Sequence, residues 1–506
     1  MKRQMPLAIP AAYPIAIAVA YIGILFLGIG GSIFSAPRVF VAAGFGAAVV
    51  GVIGNLLMRD RDRGALLSLA IVLLVFFGTS WPIVVALGAA IVLMIVERLV
   101  SQRRGSPVPW TRISLVANGV AAIFLLTLVI TGIQEGGFGR ILRELSPVRP
   151  QVPAPVATHD RPDVYVILLD GYARPDKLKA LFNFDDGPFI ADLHERGFDV
   201  SARSRSNYLL TTLSIPSLLN MRHISDLFVA TPTTGDAAYR ATIRSHVNDA
   251  DVIRRLRGLG YQITAVSGGF EEVVMYEADR LIDTGQVNEY EFLMMRVSAV
   301  APLLNLLAPD FLADQHRART IAVLDAAAVV AASPRAGPQF TFVHVPSPHG
   351  PIVFGPRGEP VSAPGPDRFF EDTAHGLGLS REAFGRRYVG QVQYLNDRVI
   401  ETVNAILAAS PDPPVILVLS DHGSGSGLVW SDMAHSDLDE RSANLFAAYT
   451  PGRPNLFSDD ITLVNVFGRF FEGYFGIPVP HQPDLVFRWD DSNSRLIPAP
   501  EMQGVD

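Results

Sequence analysis

Two aspartates stand where apolar runs stop. The run "DVYVILLD" ends in Asp170, and "PVILVLSDHG" ends in Asp421 with His422 beside it. A third run, "FTFVHVPSPHGP", carries His344 near its end and His349 five residues on. Farther up the chain, "SNYLLTTLSIPSLLNM" sets Thr211 and Thr212 just before a Ser-Ile-Pro step. Carboxylate, imidazole and hydroxyl are oxygen and nitrogen donors, and two like carboxylates brought together are costly unless a cation lies between them. The chain has no cysteine, which excludes disulfides, thiolate ligands and a cysteine nucleophile. Two Asp, one His and a hydroxyl suit one divalent ion, zinc or manganese.

Each residue taken alone has a plainer role. Asp170 could cap a helix or close an Asx-turn, Asp421-His422-Gly423 could be a turn, and His344 could be a satisfied core histidine. His435, in "WSDMAHSD", reads as a surface-loop residue. The threonine stretch reads as an ordinary helix start with Ser214 as N-cap and Pro216 in the first turn. What implies a site is their common position, because ligands of open α/β sheets bind beyond the carboxyl ends of the strands.

The elements that would bring these residues together are legible after residue 161. Strands are expected at "DVYVILL" from Asp163, "YQITAVS" from Tyr261, "FTFVHV" from Phe340, "PVILVLS" from Pro414 and "LFAAYT" from Leu445. Helices are expected near Pro188–Arg196, Ala250–Arg257, Arg317–Ala331 and Arg381–Ala408. Apolar strands without polar alternation, separated by helices, predict a largely parallel sheet covered on both faces. This is an α/β sandwich.

A chain of 506 residues exceeds one ordinary core, and its mean hydropathy of +0.28 is concentrated before residue 140. About five spans are expected there, near Ala12–Phe34, Val39–Met58, Ala65–Gly78, Ile83–Val96 and Ile113–Ile133. The third and fourth are shorter than the roughly 20 apolar residues a crossing takes, so one long bent helix is the competing count. With the N-terminus inside, the inner loops carry Lys2, Arg3, Arg59, Arg61, Arg63 and four arginines between Arg98 and Arg112, against Arg38 alone outside. This asymmetry places the N-terminus in the cytoplasm and everything after Ile133 on the outer face of a cell (inner) membrane, periplasmic or extracellular. The divisions expected are a helical membrane domain over 1–135, a linker with an interfacial helix over 136–160, a catalytic domain over 161–490 and a tail over 491–506. A net charge of −7 gives no basic footprint for nucleic acid.

Together, these motifs resemble the alkaline phosphatase and sulfatase superfamily, and within it the membrane-anchored branch of phosphoethanolamine transferases and lipoteichoic acid synthases. The resemblance covers most of the chain. It implies a membrane bundle followed by a sulfatase-type α/β domain outside the membrane, a metal held by Asp170, Thr211, Asp421 and His422, and a threonine nucleophile three residues before the Ser-hydrophobe-Pro step. That nucleophile is Thr211, not Thr212. It places His344, His349 and His435 on the substrate side, with room for a second ion near His349 and His435. Asp170 stands where the transferases usually have Glu, as on the broader sulfatase side of the superfamily. A true sulfatase needs a formylglycine motif resembling Ser-x-Pro-x-Arg, and here Leu218 replaces the Arg.

The function expected is transfer of a phosphoalcohol head group, phosphoethanolamine or phosphoglycerol in type, from a phospholipid donor to a lipid or glycan acceptor through a phosphothreonine. Alternatives are a metal-dependent phosphodiesterase, phosphatase or sulfatase-like hydrolase, and an inactive membrane-anchored binding or scaffold protein.

Overall fold

The structure is a computed structural model that describes residues 12–28, 31–78, 80–104, 108–134, 141, 161–227, 237–335, 337–490 and 495–499. Two compact units emerge, Met1–Val148 with Asn288–Pro309 and Arg149–Val287 with Asp310–Asp506. The run expected over 161–490 thus contains one stretch, Asn288–Pro309, that clusters with the first unit. The linker expected over 136–160 lies outside the described residues, except for Ile141.

The first unit holds helices α1 (Tyr13–Gly28), α2 (Pro37–Met58), α3 (Arg61–Phe77), α4 (Trp81–Arg104) and α5 (Trp110–Gln134). Three of them, α2, α4 and α5, are long and apolar enough to cross a membrane. The fourth span was expected to be short, but the helix runs on through the charged "ERLVSQRR" and reaches 24 residues. It is also separate from α3, which disposes of the single bent helix. At one end of the bundle Arg63 pairs with Glu97 at 3.2 Å and Arg98 donates to the Met58 carbonyl.

The second unit is built on a seven-stranded sheet of β1 (Val164–Leu169), β2 (Asp199–Val200), β3 (Gln262–Val266), β4 (Arg280–Ile282), β5 (Gln339–Val345), β6 (Val415–Leu419) and β7 (Phe446–Tyr449), in the order β2-β7-β6-β1-β5-β3-β4. The strands from β6 to β4 are parallel, and β7 runs antiparallel to both β6 and β2. All five expected strands are present; β2 and β4 are additional edge strands of two and three residues. The 491–506 region, expected to be a tail, includes a strand at Leu496–Pro498 that pairs with Phe487–Trp489.

Side-chain alternation in β1 divides the core. Val164, Val166 and Leu168 face the layer containing the helix Thr211–Asn220, whereas Tyr165, Ile167 and Leu169 face the layer of the long helices Phe311–Ala331 and Arg381–Ala409. Every residue of β1 is buried, and each fully buried aliphatic side chain contributes roughly 1.5–3 kcal/mol. That makes β1 a rigid platform for the residues beyond its carboxyl end.

A polar ring locks the turn after β1 from the second layer. The Tyr172 hydroxyl lies 2.6 Å from Asn396 Oδ1 and 2.9 Å from Asp186 Oδ2, and Asn396 Nδ2 donates to Asp186 Oδ1 at 2.7 Å. One phenol proton cannot serve two acceptors fully. The ring closes when Asp186 is protonated and donates to the Tyr172 oxygen, while Tyr172 donates to Asn396. Burial pushes the Asp186 carboxyl up to about 7, against the hydrogen bonds from Tyr172 and Asn396.

Because the folded-state value is raised, Asp186 keeps its proton in the folded protein after the unfolded chain has lost it, so stability falls as pH rises from about 4 to about 7. The full shift from 3.8 to about 7 is on the order of 4 kcal/mol. Asp186→Asn keeps a donor toward Tyr172 and carries no charge. Thermal denaturation should therefore show this variant more stable than the parent at pH 8, with the gap narrowing below about pH 7 and closing only near about pH 4.

Candidate metal centre

Strand register delivers the site. Leu168 of β1 lies opposite His344 of β5 and Leu419 of β6, so Asp170 and Asp421 leave adjacent strands at the same level. Asp421 is wholly buried and Asp170 is nearly so. Gly171 then turns the chain with φ +77°, where a Cβ would come within 3.3 Å of the His422 ring and 3.5 Å of His349. The close approach needs glycine. The Gly171 N–H donates to Asp421 Oδ1 at 3.1 Å, the Tyr172 N–H donates to Ser420 Oγ, and Ser420 Oγ donates to the His422 carbonyl. Tyr388, from the long helix, donates to the Gly171 carbonyl at 2.6 Å.

Thr211 comes from the opposite layer. Its helix starts at Thr211 itself, three residues earlier than the Ser214 cap expected from sequence, and Pro216 lies inside it. Ser214 is buried and bonds Ser206 Oγ and the Tyr208 carbonyl. Leu210 holds the N-cap position and offers no side-chain acceptor. Thr211 Oγ1 is 3.4 Å from both Asp170 Oδ1 and His422 Nε2. The neighbouring Thr212 hydroxyl turns away and bonds the Tyr239 hydroxyl at 2.8 Å.

Three residues, Asp170, His349 and His422, present one ligand atom each within 4.8 Å of one another. His422 Nδ1 faces the Gly423 carbonyl at 2.9 Å, which fixes the proton on Nδ1 and makes Nε2 the atom that would ligate, in competition with Arg441 Nη2 at 3.3 Å. That Nε2 is 3.5 Å from both Asp170 Oδ1 and Asp421 Oδ2. Burial, then the Arg441 charge, hold His422 below its ordinary value and so neutral. Burial alone would raise Asp170, but the His349 charge first and then the hydrogen bond from His344 outweigh it and draw the carboxyl well below the usual range. Asp421 Oδ2 is buried with no hydrogen-bond partner. An orphaned carboxylate oxygen beside a second carboxylate is expensive in a protein interior. The donors that could hold a divalent ion are thus Asp170, His349 and His422, with Asp421 and the Thr211 hydroxyl beside them.

The other sequence-derived candidates divide. His344 Nε2 lies 3.3 Å from Asp170 Oδ2, and His349 sits between Asp170 and Asp372, its Nε2 3.3 Å from Asp372 Oδ2. Burial would push His349 down, but Asp170 and Asp372 together raise it above its ordinary value. His435 is not brought into this group: its side chain is 84% exposed and bonds Asp432 at 2.8 Å.

Two residues escaped the sequence reading. Arg441 is buried, its Nε donates to the Leu209 carbonyl, Nη1 pairs with Asp372 at 2.5 Å, and Nη2 lies 3.3 Å from His422 Nε2. Asp372 is held to about 2 despite its burial, by Arg441 first and then His349. In sequence Arg441 is one charge in the polar run "SDLDERSAN", which reads as a solvated helix; only the apolar strand directly after it signals burial. A pocket bounded by Gly171, His349, Asp372, Tyr388, Ser424 and Arg441 opens beside the cluster.

No family model matches the chain, and neither does any curated protein. Solved structures do. Its structural neighbours are phosphoethanolamine transferases and sulfatases. The periplasmic C-terminal domain of EptC from Escherichia coli aligns at TM-score 0.43 and 13% identity, over 69% of this chain and 96% of that one. The integral membrane lipooligosaccharide phosphoethanolamine transferase A of Neisseria meningitidis aligns at TM-score 0.38 and 13% identity, over 92% and 94%. A zinc complex of the E. coli EptC domain aligns at 0.37 and 14%, over 64% and 86%. These are likenesses of outline at low identity, so the chemistry rests on the side chains of the site itself.

Removing Asp421 takes away the buried carboxylate oxygen, Oδ2, that has no hydrogen-bond partner in the site. Asp421→Ala should weaken zinc or manganese binding by more than the roughly 10–100-fold that an outer partner of a ligand is worth, whereas His435→Ala should leave it unchanged. Metal content of the purified full chain by elemental analysis, with titration after chelation, checks both.

Proposed function

We propose that the protein transfers a phosphoalcohol head group, of phosphoethanolamine or phosphoglycerol type, from a membrane phospholipid to a lipid or glycan acceptor. The observation that carries this reading is Thr211: a buried hydroxyl at an uncapped helix start, 3.4 Å from both Asp170 and His422. A free threonine hydroxyl is a weak nucleophile at neutral pH and needs activation. A divalent ion bound by Asp170, Thr211, Asp421 and His422, zinc or manganese from this donor set, would offset the carboxylate charge and stabilise the ionised threonine oxygen.

Thr211 Oγ1 attacks phosphorus, the bond from phosphorus to the diacylglycerol oxygen breaks, and a phosphothreonine diester forms while diacylglycerol remains in the bilayer. The first N–H groups of the Thr211–Asn220 helix lack intrahelical acceptors and favour the phosphoryl oxygens. Arg441, fixed by Leu209 and Asp372, adds a positive charge on the side of the open pocket. His349, its Nε2 3.3 Å from Asp372 Oδ2, gives its proton to the departing oxygen. It then takes the proton of the acceptor hydroxyl as that oxygen attacks phosphorus and releases Thr211. With water as acceptor the same residues give a phosphodiesterase, the second reading.

The apolar helices of the first unit support membrane attachment, and the basic loops support an outward-facing second unit. A donor already resident in the bilayer is then at hand.

Thr211→Ala should reduce turnover by roughly 10⁴-fold or more. Thr212→Ala should keep most of it, losing only the Tyr239 hydrogen bond, worth about 1 kcal/mol of stability. With head-group-labelled phospholipid and no acceptor, label should accumulate on the peptide containing Thr211, read by mass spectrometry. Release only on adding a glycolipid or sugar supports transfer, and rapid release to water supports hydrolysis. A fully active Thr211→Ala protein excludes the threonine pathway.

A further inference from the structure

The stretch Asn288–Pro309 lies between two parts of the second unit in sequence but clusters with the first. It forms two short helices, Glu289–Arg296 and Val300–Leu307, bent by 94° at the break between them. Asn288 and Glu291 form a capping box at the start. Arg38, in the first turn of α2, pairs with Glu291 at 2.6 Å, and Asn288 Nδ2 donates to the Ser35 carbonyl. Tyr290 and Met294 are buried in one cluster with Phe26 and Phe76, and the Tyr290 ring meets Phe26 edge-on at 5.6 Å. At the bend, the Ala299 N–H donates to the Val75 carbonyl at 2.7 Å.

These contacts share one level of the bundle: the end of α1, the start of α2 and the end of α3. The arginines Arg59, Arg61, Arg63 and Arg98 lie at the opposite ends of their helices. By the positive-inside rule the arginine end is cytoplasmic, so the inserted stretch meets the outer end. From Val297 to Pro309 the sequence "VSAVAPLLNLLAP" has no charge. On the second helix Leu303, Leu306 and Leu307 are 54%, 77% and 71% exposed. Each leucine left in water forgoes roughly 1.5–3 kcal/mol, and spacing at i, i+3 and i+4 puts all three on one face.

We propose that Asn288–Pro309 is a second membrane-inserted element, separate in sequence from the N-terminal helices, and that Leu303, Leu306 and Leu307 lie among the acyl chains of the outer leaflet. The occupant is lipid because the helix is anchored at the outer end of a bundle whose own helices carry exposed apolar side chains, Val41 and Phe45 on α2 and Val75 on α3. This inference depends on the orientation of the bundle and not on the chemistry at Thr211.

The absence of cysteine makes the test direct. Single variants Leu303→Cys and Leu306→Cys of the full chain, spin-labelled and reconstituted in phosphatidylethanolamine and phosphatidylglycerol vesicles, are compared with Leu126→Cys on α5 as the lipid reference and Glu382→Cys as the water reference. Oxygen should broaden the 303 and 306 signals more than a water-soluble nickel chelate does, a ratio above one as at 126 and opposite to that at 382. A ratio below one at both positions overturns the proposal. Shielding from both reagents, with spin–spin broadening at low protein-to-lipid ratio, also overturns it and identifies a second copy of the chain as the occupant.

Discussion

Asp170 and Asp421 leave adjacent parallel strands at one level, and both carboxylates are buried. Two anions at that spacing in a low-dielectric interior repel each other strongly, and the rest of the site can be understood as compensation. The Gly171 N–H donates to Asp421, the Thr211 hydroxyl approaches Asp170 from a helix start, and His344 and His349 flank Asp170. Of the carboxylate oxygens on these two residues, only Asp421 Oδ2 is left without a donor. The sheet supplies the rigidity that keeps the carboxylates together, since every β1 and β6 residue is buried and neither strand end can relax outward without opening a core.

The two layers around the sheet divide the work. The Thr211 side presents the hydroxyl and an uncapped helix start, while the opposite side holds the turn after β1 in place through Tyr172, Asp186, Asn396 and Tyr388. Arg441 and Asp372 join the two sides, because the guanidinium reaches the Leu209 carbonyl just before the Thr211 helix as well as the loop that carries Asp372. A change in either layer is thus transmitted to the same few atoms.

How much the sequence disclosed depends on which signals are local. Strands β1, β5 and β6 are uninterrupted apolar runs, and the chemistry-bearing residues directly follow or end them, so fold class and the Asp170, Asp421 and His422 group were legible. Short edge strands have too few residues to show a period, which hid β2 and β4. The start of the Thr211 helix was displaced because Ser214 and Pro216 are strong local start signals, and packing against Tyr208 and the sheet overrode them. Asp372 and Arg441 act through a pairing across 69 residues, which no spacing announces. Asn288 and Glu291 did carry a readable capping signal, and the chain beyond them includes thirteen residues without charge; what the sequence withheld was their partners on α1, α2 and α3.

That excursion of the chain changes what a cut can do. Between the two units the polypeptide crosses three times, near residues 148, 287 and 309. A single nick in the linker before residue 161 would sever one crossing and leave Asn288–Pro309 joined to the second unit at both ends and packed against α1, α2 and α3. Shedding the second unit from the bundle therefore needs cleavage at all three crossings, or the extraction of Tyr290 and Met294 from among the helices. A fragment cloned from residue 161 onward would likewise carry the stretch with its bundle contacts stripped away.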